Sequence, residues 1–301
     1  MWKIADTLAF TRPKLVILRC LMHLGLATAL ILGPNDYWWV TLGVYFWFAS
    51  IGNSVGQHRY FAHKTFETNK FWEFVLLVSA TLASISSVFG YIVTHREHHK
   101  HTDVQEDPHS PHQIGFLRSL THRWDVPFEN VPLRFTRGLL RNETARWYHD
   151  NSFKSMCITI FGAYLLMLLW GIIVETYTNG VFVMLPELWY YLTNFYWYDG
   201  PYLYIQEWGL NFAWAAFAGA GLGQWSMGIT NAWQHSDKRG KQYIRNVPWY
   251  LSFINWGEGS HDYHHTNPRD YSFGKGLNDP TQYFILFLNK IGAVSINRNI
   301  I

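Results

Sequence analysis

The chain has 301 residues, a length that suits one large domain or two ordinary ones. Aromatic residues make up 18% of it and charged residues 15%, against about 25% charged residues in typical soluble proteins. This composition favours a bilayer environment over a Trp-rich soluble enzyme. The net charge of +3 is too small to indicate nucleic acid as a partner.

Four apolar windows are close to the length of about 20 residues that a transmembrane helix requires. They span about 16–32, 37–55, 155–174 and 210–229. The connection between the first two is the short turn "GPND", so we expect them to form a helical hairpin. The fourth window is rich in Ala and Gly, which suit close packing between helices.

The basic residues lie in separate blocks along the chain. All 24 Lys and Arg residues lie in 3–19, 59–154 or 238–298, and none lies in 20–58 or 155–237. Cytoplasmic segments of membrane proteins carry the excess of Lys and Arg, so all three basic blocks are predicted to be cytoplasmic. The predicted fold class is therefore an all-α integral membrane protein with four transmembrane helices and cytoplasmic N- and C-termini.

We expect a single domain over 1–301, in which 58–154 and 235–301 form a helical cap on the cytoplasmic side. Two more apolar stretches, Phe71–Val93 and Val181–Tyr204, are not predicted to cross the membrane. The first contains several serines and is expected to be a buried or interfacial helix. The second is rich in aromatic residues, which gather at headgroup level, and is expected to be an interfacial loop.

The cysteines and the N-terminus carry little functional signal. Cys20 and Cys157 lie in apolar windows and fit no zinc-site spacing, so we expect small buried residues without a disulfide. The first residues are too polar for the apolar region of a signal peptide, so no cleavable signal peptide is expected.

Histidine spacing carries the functional signal. The pattern H-x-x-H-H occurs twice, in "HREHH" from His95 and in "HDYHH" from His261. Residues at helical offsets of 0, 3 and 4 share a face, so each motif is predicted to present three imidazoles in one direction. Two more histidines lie in "QHRYFAH", and another follows Asn231 in "NAWQH". All four motifs fall on the same predicted side of the membrane.

This set of residues predicts a dimetal site. Its candidate ligands are His58, His63, His95, His98, His99, His235, His261, His264 and His265, with Asn231 holding a metal-bound water. Nine imidazoles exceed what one tetrahedral zinc ion uses, and they suit two ions with open positions. Imidazole binds Zn, Cu, Fe and Ni, so the ligands alone do not select the metal.

Histidines that bind a metal usually donate their second N–H to a carboxylate or carbonyl. The candidate carboxylates near the motifs are Asp103, Glu106, Asp107, Glu258 and Asp262. For each of them the alternative is a solvated cytoplasmic charge. The remaining histidines are predicted not to bind metal: His23, His101, His109, His112, His122 and His149.

The combination of "HRYFAH", "HREHH" and "HDYHH" resembles the three histidine boxes of the membrane-bound fatty acyl desaturases. It is most similar to the stearoyl-CoA desaturase-like Δ9 group and its bacterial acyl-lipid relatives, and it runs in order over about 37–300. The resemblance implies a di-iron centre held by the nine histidines, and by Asn231 through water. Asp262 stands where the family usually has Asn.

The resemblance also implies the reaction, in which a cis double bond, at Δ9, is introduced into a long saturated acyl chain with O2 and two electrons. The acyl carrier stays open between CoA, acyl carrier protein and glycerolipid. The compartment stays open between bacterial inner membrane, thylakoid and endoplasmic reticulum. The sequence has no haem-binding "HPGG", so electrons are expected from a separate ferredoxin or cytochrome b5.

Residues of the second window, one or two turns before His58, are candidates for lining an acyl channel. They are Phe48, Ile51 and Val55, with Phe46 and Trp47 as possible limits to channel depth. Ordinary helix packing is the alternative for each of them.

Two other functions stay open. The same di-iron architecture can hydroxylate a lipid, and sequence separates the two reactions poorly. A metal transporter or a zinc-dependent membrane receptor is a different class, and it would place ligands inside the spans.

Overall fold

The computed structural model describes residues 13–84, 88–121, 139–179, 201–236 and 244–296. Most of this chain is helical. The helices are α1 (Pro13–Leu32), α2 (Trp38–Phe46), a π-helix (Trp47–His63), α3 (Lys70–Ser84), α4 (Val88–Lys100), α5 (Pro111–Ile114), α6 (Phe116–Leu120), α7 (Glu143–Asp150), α8 (Ser152–Asn179), α9 (Pro201–Trp233), α10 (Trp249–Ile254), α11 (His261–Thr266) and α12 (Pro280–Lys290). Single 3-10 turns lie at Leu139–Arg141 and Gly276–Asn278.

The predicted hairpin between the first two apolar windows is present. Gly33 has a φ of +83° at the end of α1, a conformation that glycine adopts without steric cost. Asn35 then fixes the turn, because its Oδ1 accepts from the backbone N–H of Tyr37 at 3.1 Å. Its Nδ2 donates to the carbonyl of Asn211 at 2.9 Å, which ties the turn to α9.

The second helix changes its winding after Phe46. There α2 continues without a break as the π-helix, whose wider turns are uncommon and occur frequently at functional sites. Small residues let α3 approach this segment closely. A Cβ added at Gly52 would lie only 2.7 Å from the carbonyl oxygen of Ser79. The helix stops at Lys64, which has a φ of 55°, so the chain turns sharply just after His63.

Close packing of α9 against the hairpin follows the prediction for the fourth window. A Cβ at Gly221 would lie 2.6 Å from the carbonyl oxygen of Met22 in α1. A Cβ at Gly219 would clash with the carbonyl oxygen of Thr41 in α2. Glycine is therefore required at both positions for the helix backbones to meet.

All four predicted membrane windows lie almost wholly within helices, but crossing itself stays a prediction. Among the described residues, no single helix is both long and apolar enough to span a bilayer. By length and composition one bent pair passes as a unit, namely Lys70–Ala83 with Val88–Lys100, whose axes differ by 79°. Residues 181–200 of the predicted interfacial loop lie outside the described residues, and 201–204 begin α9 instead.

The all-α prediction is wrong in one detail. Strand β1 (Phe66–Thr68) pairs antiparallel with β2 (Val294–Ile296), with Phe66 opposite Ile296. Three residues are too few to give a recognisable alternating pattern in the sequence. The strand pair ties the segment after the π-helix to the C-terminal part of the chain.

A shared apolar core joins the π-helix to the later helices. Val55 and Phe61 of the π-helix pack in one cluster with Phe89 and Ile92 of α4 and with Ile285 of α12. All five side chains are buried. This core holds the ends of the π-helix and α4 against each other, and both ends carry histidines.

Both cysteines are free, but the prediction that they are buried is wrong. Cys20 and Cys157 are exposed, because the helices α1 and α8 turn apolar side chains outward as well as inward. Ile31 is 80% exposed and Leu166 is 69% exposed. The outward faces of these two helices are therefore apolar.

Candidate metal centre

Four chain segments bring the histidine motifs together. His58 and His63 lie in the last turns of the π-helix, and "HREHH" forms the C-terminal end of α4. His235 lies in the turn just after α9, and "HDYHH" is most of the short helix α11. The turn at Lys64 and the shared apolar core fix the first two segments relative to each other.

Nine histidines gather in two groups whose ligand atoms lie within 4.8 Å of one another in each group. The first group contains His58, His63, His95, His99 and His264. The second group contains His98, His235, His261 and His265. These are the nine histidines that the sequence nominated.

The ring nitrogens of the first group converge. Nε2 of His58 lies 2.8 Å from Nε2 of His264, and Nε2 of His63 lies 2.8 Å from Nε2 of His95. Nε2 of His99 lies 3.0 Å from that of His95 and 2.9 Å from that of His264. All five imidazoles thus direct the same nitrogen into one small volume.

The second group has the same arrangement. Nε2 of His235 lies 2.7 Å from Nε2 of His261, and Nε2 of His265 lies 3.2 Å from the same atom. His98 packs edge-on against His235, with ring centroids 4.5 Å apart. The group therefore joins the end of α4, the turn after α9 and helix α11.

Each H-x-x-H-H motif is divided between the two groups, an allocation that the sequence did not predict. The motif in α4 gives His95 and His99, four residues apart, to the first group and His98 to the second. The motif in α11 gives His261 and His265 to the second group and His264 to the first. Adjacent residues project about 100° apart around an α-helix, so neighbouring histidines reach different groups.

Three of the nominated carboxylates contact ligand imidazoles from behind. Nδ1 of His58 lies 2.8 Å from Oε2 of Glu258. Nδ1 of His98 lies 2.8 Å from Oδ2 of Asp107, and Nδ1 of His235 lies 3.0 Å from Oδ2 of Asp103. A histidine that donates Nδ1–H to a carboxylate keeps the lone pair of Nε2 free for a metal.

The loop after α4 shapes the carboxylate pair behind the second group. Asp103 has a φ of 61°, which places its backbone N–H 2.7 Å from Oδ2 of Asp107 as a donor. Ser110 donates its hydroxyl to Oδ1 of Asp103 at 2.8 Å. Burial raises the pKa of Asp103 to about 7, while the hydrogen bond from Ser110 opposes that rise.

The other two nominated carboxylates do not contact any of the nine histidines in the described structure. Glu106 is exposed, and its Oε2 lies 3.9 Å from Nδ1 of His101. Asp262 is exposed, and its Oδ1 accepts the backbone N–H of Tyr263. For these two residues the solvated-charge alternative fits the geometry.

Burial lowers the pKa of seven of the imidazoles and so favours the neutral form that metal binding requires; these are His63, His95, His99, His235, His261, His264 and His265. It lowers the pKa of His261 to about 3, and it places those of His95 and His264 well below the usual range. Burial also opposes ionisation of Glu258, but the charge and hydrogen bond of His58, with Arg59 and Ser54, bring its pKa down to about 2. The centre thus combines imidazoles that burial favours in the neutral form with carboxylates behind them.

These residues fit a pair of metal ions. In His58, His98 and His235, a carboxylate fixes the proton on Nδ1, so an unshared electron pair points inward from Nε2. Converging lone pairs repel each other unless a cation lies between them. Nδ1 of His261 and of His264 is buried without a hydrogen-bond partner among the described residues. No neighbouring donor there therefore opposes the tautomer that carries the proton on Nδ1 and leaves the lone pair of Nε2 free.

The remaining histidines of the described chain lie outside both groups. His23 places Nδ1 2.7 Å from the carbonyl of Arg19, and His112 places Nε2 2.9 Å from the carbonyl of His235. His149 packs on Phe89, with centroids 4.9 Å apart. His101 and His109 lie near the second motif without joining either group, and His122 lies outside the described residues.

Asn231 and the candidate channel residues differ in burial and in packing partners. Asn231 is half-buried near the end of α9, four residues before His235. Phe48 and Val55 are buried in two different apolar clusters, and Ile51 packs on the cluster that holds Val55. Trp47 is 40% exposed. Phe46 packs against Trp256, with ring centroids 4.7 Å apart.

Sequence reasoning missed three residues that support the ligands. Phe273 packs against His264, with centroids 4.1 Å apart, and Tyr91 stacks on His95 at 5.2 Å. Thr102 places its hydroxyl 3.3 Å from Nδ1 of His265. Tyr91 lies four residues before His95 on one helix, so spacing was a usable signal for it, whereas Phe273 becomes a neighbour only through the fold.

Several known proteins are similar in sequence to this chain. The chain is 29% identical over 293 residues to stearoyl-CoA desaturase 5 of Homo sapiens, which covers 93% of this chain and 78% of that protein. It is 27% identical over 273 residues to delta-9 acyl-lipid desaturase 2 of Arabidopsis thaliana, covering 88% of this chain and 77% of the other. It is 32% identical over 143 residues to the sn-1 stearoyl-lipid 9-desaturase of Anabaena variabilis, covering 43% and 50%. No family model matches the chain.

The fold and the site define a mostly helical protein whose nine clustered histidines fit a pair of metal ions. The chain is similar over most of its length to stearoyl-CoA and acyl-lipid desaturases, which supports an oxidoreductase of the fatty acyl desaturase type.

Proposed function

We propose that this protein is an O2-dependent fatty acyl desaturase that introduces a cis double bond, at Δ9, into a long saturated acyl chain through a di-iron centre. One observation carries the proposal. Nine buried or nearly buried imidazoles converge in two adjacent groups, and carboxylates fix the proton on the outer nitrogen of three of them. The names of the similar proteins, which specify stearoyl substrates and position 9, supply the substrate and the bond position.

When bound, a pair of iron ions supplies the two-electron oxidation by O2 that turns a saturated carbon–carbon bond into a double bond, with release of water. One ion would be held by the group that contains His98, His261 and His265, and the other by the group that contains His95 and His99. Glu258, Asp103 and Asp107 orient ligand rings through Nδ1. Phe273 and Tyr91 cover ligand rings with apolar surface and so exclude water there.

We also propose that the protein lies in a membrane with both termini in the cytoplasm. The outward faces of α1 and α8 are apolar, with Leu30, Phe161 and Leu166 more than half exposed. Large exposed apolar surfaces on a protein mark contact with a membrane or a partner. The basic blocks flank these helices only on the side that carries the histidines. An acyl chain from CoA, acyl carrier protein or a lipid then reaches the centre from the bilayer, and ferredoxin or a cytochrome b5 supplies electrons.

The test is expression in a host that lacks its own desaturase, together with an active electron donor. Gas chromatography–mass spectrometry of the lipids should show new monounsaturated chains, and dimethyl disulfide adducts should place the double bond at Δ9. The purified protein should contain about two irons per chain. His261→Ala should abolish activity. His101→Ala is the matched control, since His101 lies beside the second motif but outside both groups.

Other outcomes separate the alternatives. Unchanged lipids in the presence of an active donor would contradict the desaturase assignment. Hydroxylated chains in place of unsaturated ones would identify a di-iron lipid hydroxylase. Metal flux into liposomes would identify a transporter instead. The convergence of the nine ligands in two compact groups, rather than along a path, favours the enzyme.

A further inference from the structure

Arg59 follows His58 directly in the π-helix, and its side chain is completely buried. All three nitrogens of its guanidinium group donate hydrogen bonds. Nη1 donates to Oε1 of Glu258 at 3.1 Å, and Nη2 donates to both carboxylate oxygens of Asp279 at 3.0 Å. Nε donates to the carbonyl of Tyr271 at 3.0 Å. One arginine thus joins the π-helix to the segment before α11 and to the segment that begins α12.

Glu258 connects this arginine to a ligand of the first group. Its Oε2 lies 2.8 Å from Nδ1 of His58, while its Oε1 accepts from Arg59 and from the hydroxyl of Ser54 at 2.6 Å. Ser54 also contacts Nη1 of Arg59. The carboxylate therefore has one oxygen for the ligand and one for the arginine, so the position of Arg59 sets the position of the oxygen that His58 contacts.

A second route runs through Phe273. The guanidinium carbon of Arg59 lies 3.8 Å from the centre of the Phe273 ring. That ring packs against His264 at 4.1 Å and against His58 at 5.0 Å. The backbone N–H of Phe273 also donates to Asp279 at 2.7 Å, so the main chain that carries the ring is fixed by the same carboxylate that Arg59 binds. Both routes end on ligands of the first group.

A purely stabilising role explains this arrangement poorly. Removing two carboxylates and a guanidinium from water is costly in free energy, and well-packed apolar residues often stabilise a fold as well as a buried ion pair does. What such a network supplies better than apolar packing is direction, because the planar guanidinium binds Glu258 through Nη1 and Asp279 through Nη2 and so fixes the two carboxylates relative to each other.

We propose that Arg59 is a positioning residue for the first group, holding His58 through Glu258 and His264 through Phe273. This inference rests on the proposed di-iron function. It assigns no part in the chemistry to Arg59, whose guanidinium is bound by Glu258, Asp279 and Tyr271. It predicts that loss of the guanidinium fork affects the first group and spares the second, whose carboxylates Asp103 and Asp107 belong to another loop.

The experiment compares Arg59→Lys with the wild-type protein, both loaded with 57Fe(II) and studied by Mössbauer spectroscopy and by chelator competition. Lysine keeps the charge but cannot reproduce the fork. We expect iron at the first group to be held 10- to 100-fold more weakly, on the order found when a residue supporting a ligand is lost. The signal of the second group should be unchanged.

Arg96→Lys is the matched control. Arg96 lies beside His95, and its Nε and Nη2 donate to the carbonyls of Ala62 and Phe61 at 2.7 and 2.9 Å. We expect this variant to keep both iron signals even where its melting temperature falls. Equal iron loss in Arg96→Lys and Arg59→Lys would show a general effect of replacing an arginine beside a ligand and would overturn the proposal.

Glu258→Gln is a second variant that tests the same proposal if the Arg59→Lys protein does not fold in sufficient amount. It removes the charge between Arg59 and His58 while Arg59 keeps Asp279. Loss of the first-group signal supports the proposal, and the double variant should then be no worse than either single one, since both act on one chain of contacts. Two normal iron signals in either variant overturn it. Absence of iron from the wild-type protein would instead contradict the proposed function itself.

Discussion

Asp103 and His235 lie 132 positions apart in the chain, yet Oδ2 of the aspartate is 3.0 Å from Nδ1 of the histidine. The contact joins the loop after α4 to the turn after α9. It orients Nε2 of His235 toward His261, at 2.7 Å. The metal centre therefore depends on where α9 ends as much as on the two H-x-x-H-H motifs.

We predict that Asp103→Asn weakens iron binding at the second group by about 10- to 100-fold and lowers activity with it. Asparagine tolerates the positive φ at this position, so the variant tests the carboxylate rather than the backbone. Iron content after dialysis against graded chelator measures the effect. Glu106→Gln is the control, because Glu106 is exposed and contacts none of the nine histidines in the described structure. An Asp103→Asn protein with wild-type iron affinity would contradict the prediction.

The sequence was sufficient to nominate the nine histidines, because their spacing and chain positions are local features. It was insufficient to allocate them. Histidines four residues apart on a helix, such as His95 and His99, lie in the same group. Histidines three residues apart, such as His95 and His98, can lie in the same group or in different groups. The outcome depends on which group each helix face meets, and that is set by the packing of α4 against the π-helix and α11. Glu258 and Glu106 likewise looked equivalent in the sequence, and only the fold buries one of them.

The divided motifs give a spectroscopic prediction. His98→Ala should perturb the same iron signal as His261→Ala, because both histidines belong to the second group. His95→Ala should perturb the other signal, although His95 shares its motif with His98. Mössbauer spectra of the three 57Fe-loaded variants provide the comparison. If His98→Ala instead matched His95→Ala, each motif would serve one ion and the allocation would be wrong.

Metal removal should destabilise the fold. Without a cation, the inward lone pairs of the two groups repel one another, and the buried imidazoles lose their partner. Iron present at 1,000 times its Kd raises the free energy of unfolding by about 4 kcal/mol for one site. Thermal unfolding in detergent, with and without prior chelation, measures the shift. A double variant, His261→Ala with His264→Ala, has one ligand fewer in each group and should show a much smaller shift. Identical melting temperatures for chelated and loaded wild-type protein would contradict this prediction.

Phe46 offers a test of substrate depth. Its ring packs 4.7 Å from that of Trp256, and Trp256 lies two residues before Glu258. Shortening this side chain opens space beside the segment that carries Glu258, so we expect Phe46→Ala to shift the products toward longer acyl chains. Gas chromatography of the fatty acid products measures the shift. Trp47→Ala is the neighbouring control, since Trp47 is 40% exposed and its truncation opens less interior space. Unchanged product lengths in Phe46→Ala, with activity retained, would remove Phe46 from the channel, and its contact with Trp256 would then be helix packing alone.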